Sequence, residues 1–348
     1  MIHVPLFPLS MLKPVLAGLL LACTLALGAC TTPLPVTTEP AASADTGSVQ
    51  PYAVGKLQLR QTRFEDRQRS FWLYIPSDLP TAPAALLTVL HGTGSNGEQM
   101  LYMGNFVAHA EARKYVLAAP NALGRAFNEG SGRIGADLLD VDDVGFLLHL
   151  NQLLQADLVL DPGKSYLAGF SSGGAMTQRV ALQTDNEYSA FVSVSGHLWA
   201  PGPATLPAKP LLLIFGDSDP LNPVAGGPVN YGNNLVLDKP AQLATARAWA
   251  NRFGCSIRVE ATATIVHQTG WYQCQGGSQV TYQQIEGLGH FWAGGAVTEY
   301  ASLGPERVGP YLGNFITTEV IWDYLSHLPP RSSGVSPPLI TITRTPAD

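Results

Sequence analysis

The sequence has few charged residues and no concentration of positive ones. Only 13% of its 348 residues are charged, with 20 Lys and Arg against 26 Asp and Glu, and the formal net charge is −6. The basic residues form no stripe or block of the kind that nucleic-acid-binding proteins use to neutralise phosphates. We therefore expect no nucleic-acid partner, and a polyanionic ligand is disfavoured on the same electrostatic ground.

Cysteine is also scarce, and the spacings typical of zinc sites are missing. The chain has four cysteines, Cys23, Cys30, Cys255 and Cys274, and neither a C-x-x-C nor an H-E-x-x-H motif. We predict no metal site and no cofactor. In an oxidising compartment Cys255 and Cys274 are expected to form a disulfide, and the alternative is two free or metal-bound thiols.

The N-terminal segment has the pattern of an export signal. Lys13 precedes an apolar run of about 15 residues that ends in small residues, whereas a bilayer span needs about 20. Residues 1–29 are therefore predicted to be a signal peptide, with translation starting at Met1 or, more naturally, at Met11.

The signal ends in L-G-A-C, which resembles a bacterial lipobox and makes Cys30 the expected lipidation site. The alternative is an ordinary signal peptide with a chance cysteine. The Thr31 that follows implies the outer membrane, with membrane contact only through the lipid. Residues 30–50 are rich in Thr, Pro and Ala and are predicted to be a disordered tether, and residues 331–348 are predicted to be a loose tail.

Apolar runs and amphipathic segments alternate through residues 51–330. Apolar runs predict strands at 86–90, 115–119, 165–168, 190–194 and 211–215, and strand-like patterns lie at 70–75 and 280–285. Helical patterns lie at 143–156, 172–182, 240–253 and 314–328. Because strands and helices alternate and no internal repeat occurs, we predict an α/β fold with a doubly wound, mostly parallel sheet in a single catalytic domain.

The stretch G-F-S-S-G-G-A-M, residues 169–176, directly follows one of these predicted strands. The G-x-S-x-G pattern alone is not decisive, since 35 of the 348 residues are glycine. Its position between a strand and a helix is the context of a nucleophile elbow, a sharp turn that exposes a serine hydroxyl. We therefore predict that Ser171 is a nucleophile. The alternative is a small-residue patch where a strand packs on a helix.

Two aspartates follow a later strand, where the acid of a Ser, acid, His order is expected. The run 211–215 leads into G-D-S-D-P, which offers Asp217 and Asp219. We favour Asp219, because a turn that begins at Asp219 and Pro220 would lift its carboxylate away from the strand end. Asp217 would instead hydrogen-bond the backbone of its own loop.

The general base is predicted to be His290, which lies in the glycine-rich stretch G-L-G-H-F-W after the strand at 280–285. Glycines around it allow a sharply turning loop from which the imidazole can reach Ser171. His197 follows an earlier strand and is a candidate only for the mouth of the pocket.

Two backbone N–H groups are predicted to form an oxyanion hole. One belongs to Ser172, immediately after the nucleophile, and the other comes from the H-G-T-G loop at residues 91–94, after an early strand. We assign the second donor to Thr93, with Gly94 as the alternative.

Six motifs occur along the chain in a characteristic order. They are H-G-T-G from His91, V-D-D-V-G-F from Val141, G-F-S-S-G-G-A-M from Gly169, G-D-S-D-P from Gly216, W-A-N-R-F-G-C from Trp249 and G-L-G-H-F-W-A-G-G from Gly287. Together they resemble the esterase family of poly(3-hydroxybutyrate) depolymerases, feruloyl esterases and acetylxylan esterases, over residues 57–328. The resemblance implies an α/β-hydrolase fold, the triad Ser171, Asp219 and His290, and a disulfide between Cys255 and Cys274.

Three positions depart from the usual pattern of this family. Phe215 stands where a His precedes the glycine of the acid loop, Phe127 stands where a Trp precedes Asn128, and Ala293 replaces the Pro of the last loop. None belongs to the triad, but all can reshape the pocket, so the class of ester is left open.

The residues and the resemblance together predict an exported serine carboxylic-ester hydrolase that works through an acyl-enzyme. We expect soluble small or oligomeric esters as substrates, namely feruloyl or acetyl groups on polysaccharide fragments or hydroxyalkanoate oligomers, because no polymer-binding domain follows the last predicted helix. The expected location is the outer membrane, the periplasm or the extracellular space of a bacterium. The alternatives are a serine peptidase on the same scaffold and a non-catalytic, ligand-binding lipoprotein. The sequence does not fix the oligomeric state.

Overall fold

The computed structural model describes residues 52–132, 140–183, 185–231, 235–296 and 304–328. The predicted signal peptide, Cys30, the tether at 30–50 and the tail at 331–348 lie outside these ranges. In the described ranges, none of the helices has the length and apolar character needed to cross a membrane.

Ten of twelve strands form one mixed sheet, with the order β1-β2-β4-β3-β5-β6-β7-β12-β11-β10. The strands are β1 (Leu57–Phe64), β2 (Arg67–Tyr74), β3 (Ala84–Leu90), β4 (Val116–Pro120), β5 (Leu160–Phe170), β6 (Ala190–Val194), β7 (Leu211–Gly216), β10 (Ile257–Ala263), β11 (Val266–Tyr272) and β12 (Val280–Ile285), and the remaining two, β8 (Gly227–Asn230) and β9 (Val236–Lys239), form a separate ribbon. The run from β4 to β12 is parallel and the flanking strands are antiparallel. This confirms the predicted doubly wound, mostly parallel sheet.

Helices cover both faces of this sheet, as its continuous apolar strands require. They are α1 (Gly97–Met103), α2 (Phe106–Arg113), α3 (Asp143–Asp157), α4 (Ser172–Ala181), α5 (Gln242–Arg252), α6 (Pro305–Val308) and α7 (Thr317–Ser326). On one face α1, α2 and α7 bury Met100, Phe106 and Ile321. On the other face α3, α4 and α5 bury Phe146, Met176 and Trp249, so two apolar cores lie on opposite sides of the sheet.

The V-D-D-V-G-F motif starts α3 and ties it to the sheet. Asp142 is the N-cap, and its carboxylate accepts a hydrogen bond from the Gly145 N–H at 2.8 Å. Asp143 is fully buried, forms an ion pair with Arg69 of β2 at 2.6 Å and accepts the backbone N–H of Asn128 at 2.7 Å. The motif is therefore structural, and it fixes the loop around Asn128 beside the carboxyl edge of the sheet.

Two hairpin-like units were not predicted from the sequence. The ribbon of β8 and β9 is inserted between β7 and α5, and β10 and β11 extend the sheet beyond β12. A disulfide joins Cys255, just before β10, to Cys274, just after β11. It therefore clamps the open end of this edge hairpin.

Candidate active site

Ser171 occupies a strained turn between β5 and α4. Its φ of 55° and ψ of −119° are unusual for a residue with a side chain. The turn is held because the Ser171 N–H donates to the Val194 carbonyl at 2.9 Å and its carbonyl accepts from Ala175 N–H at 3.0 Å. The hydroxyl is partly exposed at the carboxyl edge of the sheet, which is the geometry of a nucleophile elbow.

The glycines of the G-x-S-x-G motif allow this turn by their lack of a side chain. A Cβ on Gly169 would lie 2.2 Å from the Gly173 carbonyl oxygen, and a Cβ on Gly173 would lie 2.5 Å from the Leu90 carbonyl oxygen. Both distances are shorter than any van der Waals contact. The spacing of the motif therefore reflects the close approach of β5, α4 and the end of β3.

His290 connects Ser171 to Asp219 through two hydrogen bonds. Its Nε2 lies 2.9 Å from Ser171 Oγ, and its Nδ1 lies 2.8 Å from Asp219 Oδ2. The histidine and the aspartate are both 1% exposed. Ser171 follows β5, Asp219 follows β7 and His290 follows β12, so the three meet because carboxyl ends of parallel strands share one edge of the sheet.

Four hydrogen bonds saturate the carboxylate of Asp219. Oδ1 accepts the backbone N–H groups of Leu221 at 2.8 Å and Asn222 at 2.9 Å, while Oδ2 accepts from His290 and from the Asn222 side-chain amide at 3.2 Å. Burial alone would raise the pKa of Asp219, but the neighbouring His290 and these hydrogen bonds lower it overall. The carboxylate is therefore kept ionised next to the imidazole.

Asp217, the other candidate acid, holds the loop that carries the histidine. Its Oδ1 accepts the Gly287 N–H at 2.7 Å and the Ser218 hydroxyl at 2.9 Å. The expected bond to the backbone of its own loop was therefore wrong in detail, because the partner belongs to the loop before His290. The imidazole itself bonds Asp219.

The segment around residue 309 fixes His290 from the other side. The His290 N–H donates to the Val308 carbonyl, and the Gly289 N–H donates to the Pro310 carbonyl at 2.7 Å. The Phe170 ring lies 5.1 Å from the imidazole and packs against it. The base is thus held by its backbone as well as by its ring.

The loop after β3 carries the predicted second oxyanion donor. This loop packs against the start of α4. The carbonyl oxygens of Leu90 and His91 both approach Gly173. His91 is buried, with Nδ1 2.8 Å from the Gly92 carbonyl and Nε2 accepting the Ala122 N–H at 3.1 Å. These two bonds require the tautomer protonated on Nδ1.

The same loop ends in a tight turn. The Ser95 N–H donates to the Gly92 carbonyl at 3.2 Å, and Gly94 has a φ of 85°. Thr93 is exposed at this turn, two residues beyond the contact with α4. Ser172 is the first residue of α4, and its N–H is the other predicted donor.

Asn222 and Gln242 are functional candidates that the sequence reasoning missed. The Asn222 amide also donates to the Ser195 carbonyl at 2.9 Å, and Gln242 donates to the carbonyls of Asn222 at 2.6 Å and Gly216 at 2.9 Å. Together they fasten the acid loop to its neighbours. No local pattern in the sequence marks either of them.

His197 does not lie at the mouth of the pocket, because the structure buries it to 1% exposure. Its Nδ1 lies 3.2 Å from the Thr245 hydroxyl, and its ring lies 5.0 Å from Phe215. Burial, assisted by the positive charge of Lys239, lowers the pKa of His197 to about 3. The imidazole is therefore neutral and acts as a packed side chain behind the triad.

A cavity of about 590 Å³ opens at the opposite edge of the sheet. It is lined by residues near the amino ends of the parallel strands, among them Ala84, Ser189, Pro210 and Ser278. None of the predicted site residues borders it. The cavity is therefore separate from the candidate active site.

The sequence of the chain is similar to those of proteins named as esterases. No protein-family model matches the chain. The chain is 25% identical over 308 residues to a protein of Nocardia uniformis subsp. tsuyamanensis that is named putative esterase NocK, covering 80% of this chain and 90% of NocK. It is 27% identical to feruloyl esterase C of Emericella nidulans, covering 55% of this chain and 70% of that protein.

Solved structures show the same fold. An acetyl xylan esterase from Aspergillus awamori aligns with 72% of this chain and 98% of its own, with a TM-score of 0.50 and 14% sequence identity. At this identity the likeness establishes the fold alone, and the activity follows from the relatives by sequence. The chain is a carboxylic ester hydrolase with the α/β-hydrolase fold, and it is similar in sequence to these esterases.

Proposed function

We propose that this enzyme cleaves esters by two-step acyl transfer with Ser171 as nucleophile. As Ser171 Oγ attacks the ester carbonyl carbon, His290 Nε2 takes the hydroxyl proton and then passes it to the departing alcohol. Asp219 holds the Nδ1–H tautomer and stabilises the imidazolium. The proposal is carried by the unbroken hydrogen-bonded chain from Ser171 Oγ through the imidazole to Asp219 Oδ2.

The second step regenerates the free serine. A water molecule loses a proton to His290 Nε2 and attacks the acyl carbon, and the imidazolium then returns its proton to Ser171 Oγ as the carboxylic acid leaves. In both steps negative charge develops on the former carbonyl oxygen. We assign its stabilisation to the backbone N–H groups of Ser172 and Thr93, each of which would contribute about 2.7–4 kcal/mol to lowering the barrier.

The names of the relatives favour esters of acetic acid or ferulic acid as substrates. Feruloyl esterase C and a bifunctional acetylxylan esterase/xylanase of Neocallimastix patriciarum both match by sequence, although this chain spans only 31% of the latter. We propose feruloyl and acetyl esters on carbohydrate fragments as one substrate class. Hydroxyalkanoate oligomers form the other class, which is supported by the order of motifs.

We propose that the enzyme works outside the cytoplasm. The support is the signal-like N-terminus with Cys30 in a lipobox-like setting and the disulfide between Cys255 and Cys274, since disulfides persist in oxidising compartments. Labelling of cells with a lipid precursor tests the anchor: wild-type protein should incorporate it and Cys30→Ser should not.

Turnover on a panel of esters tests the proposed function. The panel contains methyl ferulate, acetylated xylan oligomers, hydroxybutyrate oligomers and p-nitrophenyl butyrate, with peptide amides as the arm for a peptidase. We expect ester hydrolysis that falls to a residual level in Ser171→Ala, while Ser131→Ala retains it. Hydrolysis of amides alone, or of no substrate at all, would overturn the proposal.

A further inference from the structure

In the described part of the chain, Lys239 forms no ion pair, and it lies close enough to the candidate triad to interact electrostatically with Asp219. Lys239 ends β9, in the ribbon that follows the loop of Asp219. The ribbon is anchored to that loop, because the Gly226 N–H donates to the Pro223 carbonyl at 2.9 Å and the Gln242 N–H donates to the Val224 carbonyl at 3.1 Å. Lys239 also interacts electrostatically with Asp219 and His197, so it lies near the triad.

Two aromatic rings enclose the ammonium group of Lys239. Its Nζ lies 4.6 Å from the ring centre of Trp199 and 5.4 Å from that of Tyr231, both within the range of a cation–π interaction. Trp199 follows β6 and packs edge-on against His197, while the Tyr231 hydroxyl lies 3.5 Å from the Leu221 carbonyl. The Tyr231 wall therefore borders the acid loop of the triad, and the Trp199 wall borders the buried His197.

The charges around Lys239 leave its ammonium protons uncommitted. Within the described residues it makes no hydrogen bond and no ion pair. The carboxylates of Asp219 and Glu129 attract it from a distance, but Asp219 already accepts four hydrogen bonds and Glu129 accepts the Ser131 N–H at 2.6 Å. His197 on the other side is neutral. The half-buried cation thus faces two aromatic walls, and none of the described residues accepts a hydrogen bond from it.

A half-buried ammonium group without a hydrogen-bond acceptor destabilises the fold unless an anion binds beside it. Removing an ammonium group from water without a hydrogen-bond acceptor is unfavourable, and cation–π contacts offset only part of that cost. Burial accordingly lowers the pKa of Lys239 to about 8, although Asp219 and Glu129 act to raise it. The phenol of Tyr231 stays neutral, since burial raises its pKa. Near neutral pH the cluster therefore offers one positive charge.

We propose that Lys239, between Trp199 and Tyr231, binds a carboxylate carried by the ester substrate. The inference rests on the proposed function and narrows it to esters that also bear an acid group. A single point charge between flat apolar walls suits a monoanion with a hydrocarbon body. A phosphate dianion would meet only one cation here and would be repelled by Asp219 and Glu129 more strongly than a monoanion.

Matched pairs of esters test this inference. In one pair the acid group is on the acyl side: p-nitrophenyl hydrogen adipate against its neutral isostere p-nitrophenyl 6-methylheptanoate. In the other it is on the alcohol side: 4-(butyryloxy)benzoate against its methyl ester. We measure the ratio of kcat/KM for the anionic ester to kcat/KM for the neutral ester. For at least one pair we expect this ratio to fall about tenfold or more in Lys239→Met, chiefly because KM for the anionic ester rises. A tenfold change corresponds to about 1.4 kcal/mol.

Two further variants make the result specific. Lys164→Met removes a lysine that pairs with Asp161 at the opposite edge of the sheet, and it should leave both ratios as in wild type. Lys239→Arg should keep most of the preference. Ratios within twofold of wild type in Lys239→Met, for both pairs, would overturn the inference. If wild type hydrolyses none of the four esters, the proposed function itself fails.

Two measurements on the wild-type enzyme keep the inference testable even if Lys239→Met does not fold. The preference for the anionic ester should be present below pH 8 and be lost as the pH rises through about 8, because the ammonium group deprotonates there. Butyrate should inhibit turnover of the neutral ester better than butyramide. A preference that is independent of pH from 6 to 10, or equal inhibition by both compounds, would contradict the inference.

Discussion

Asn222 holds Asp219 from two directions at once. Its backbone N–H donates to Asp219 Oδ1 at 2.9 Å, and its side-chain amide donates to Oδ2 at 3.2 Å. The same amide donates to the Ser195 carbonyl at 2.9 Å. Asn222 therefore sets the position of the carboxylate that orients His290, without touching the hydroxyl of Ser171.

The variant Asn222→Ala should lower kcat by about tenfold or more, with little change in KM. A hydrogen bond to a charged group contributes about 1.5–3 kcal/mol, and its loss allows the Asp219 carboxylate and the imidazole to shift. Steady-state kinetics on a neutral ester measure the effect. Asn251→Ala, at an exposed position of α5, is the matched control, and equal kcat values in the two variants would show that Asn222 has no positioning role.

Substituting the two aspartates of the acid loop by asparagine should lower kcat to very different extents. Asp219→Asn leaves the shape intact but removes the charge that stabilises the imidazolium, so kcat should fall by about 10⁴-fold. Asp217→Asn keeps an oxygen that can accept the Gly287 N–H, so kcat should fall by only a few fold. Kinetics at one pH compare them, and a larger loss in Asp217→Asn would reverse the assignment of the acid.

Adding a methyl group at Gly173 should prevent the elbow from closing. In Gly173→Ala the new Cβ would lie 2.5 Å from the Leu90 carbonyl oxygen, so β3 and α4 must move apart and Ser171 loses its position. We expect little soluble, active protein. Gly313→Ala is the control, since its Cβ meets nothing closer than 3.5 Å. Normal expression and activity of Gly173→Ala would contradict the described packing.

The disulfide should contribute stability rather than activity. Cys255 and Cys274 are 19 residues apart in sequence, and closing a loop of this length stabilises a fold by about 3 kcal/mol in the chain-entropy model. The double variant Cys255→Ser with Cys274→Ser should unfold at a lower urea concentration while keeping kcat on a small ester. An unchanged midpoint would show that the edge hairpin is stable without the bond.

The sequence was most informative for strands whose residues are nearly all apolar and for motifs whose residues contact one another within a few positions. The apolar runs at 190–194 and 211–215 match β6 and β7, because fully buried parallel strands are apolar on both faces. The nucleophile elbow was likewise predictable, because the close contacts that require its glycines arise within a turn only a few residues long. The antiparallel edge strand β1 was missed because its side chains are only half-buried in alternation.

Features that depend on contacts between distant segments could not be read in this way. Asn222 reaches Ser195 across 27 positions, and Gln242 reaches Tyr282 across 40, so neither is marked by a local pattern. Lys239 lies in a strand of four residues, too short for any periodicity. Its aromatic neighbours come from other loops and become visible only once the chain is folded.

Covalent trapping of the nucleophile tests the central claim most directly. A fluorophosphonate reacts with a serine that is activated by a neighbouring base, and mass spectrometry of the digested protein locates the adduct. We predict a single adduct on the peptide that contains Ser171, none in Ser171→Ala and a strongly slowed reaction in His290→Ala. An adduct on another residue, or undiminished ester hydrolysis by Ser171→Ala, would contradict the account.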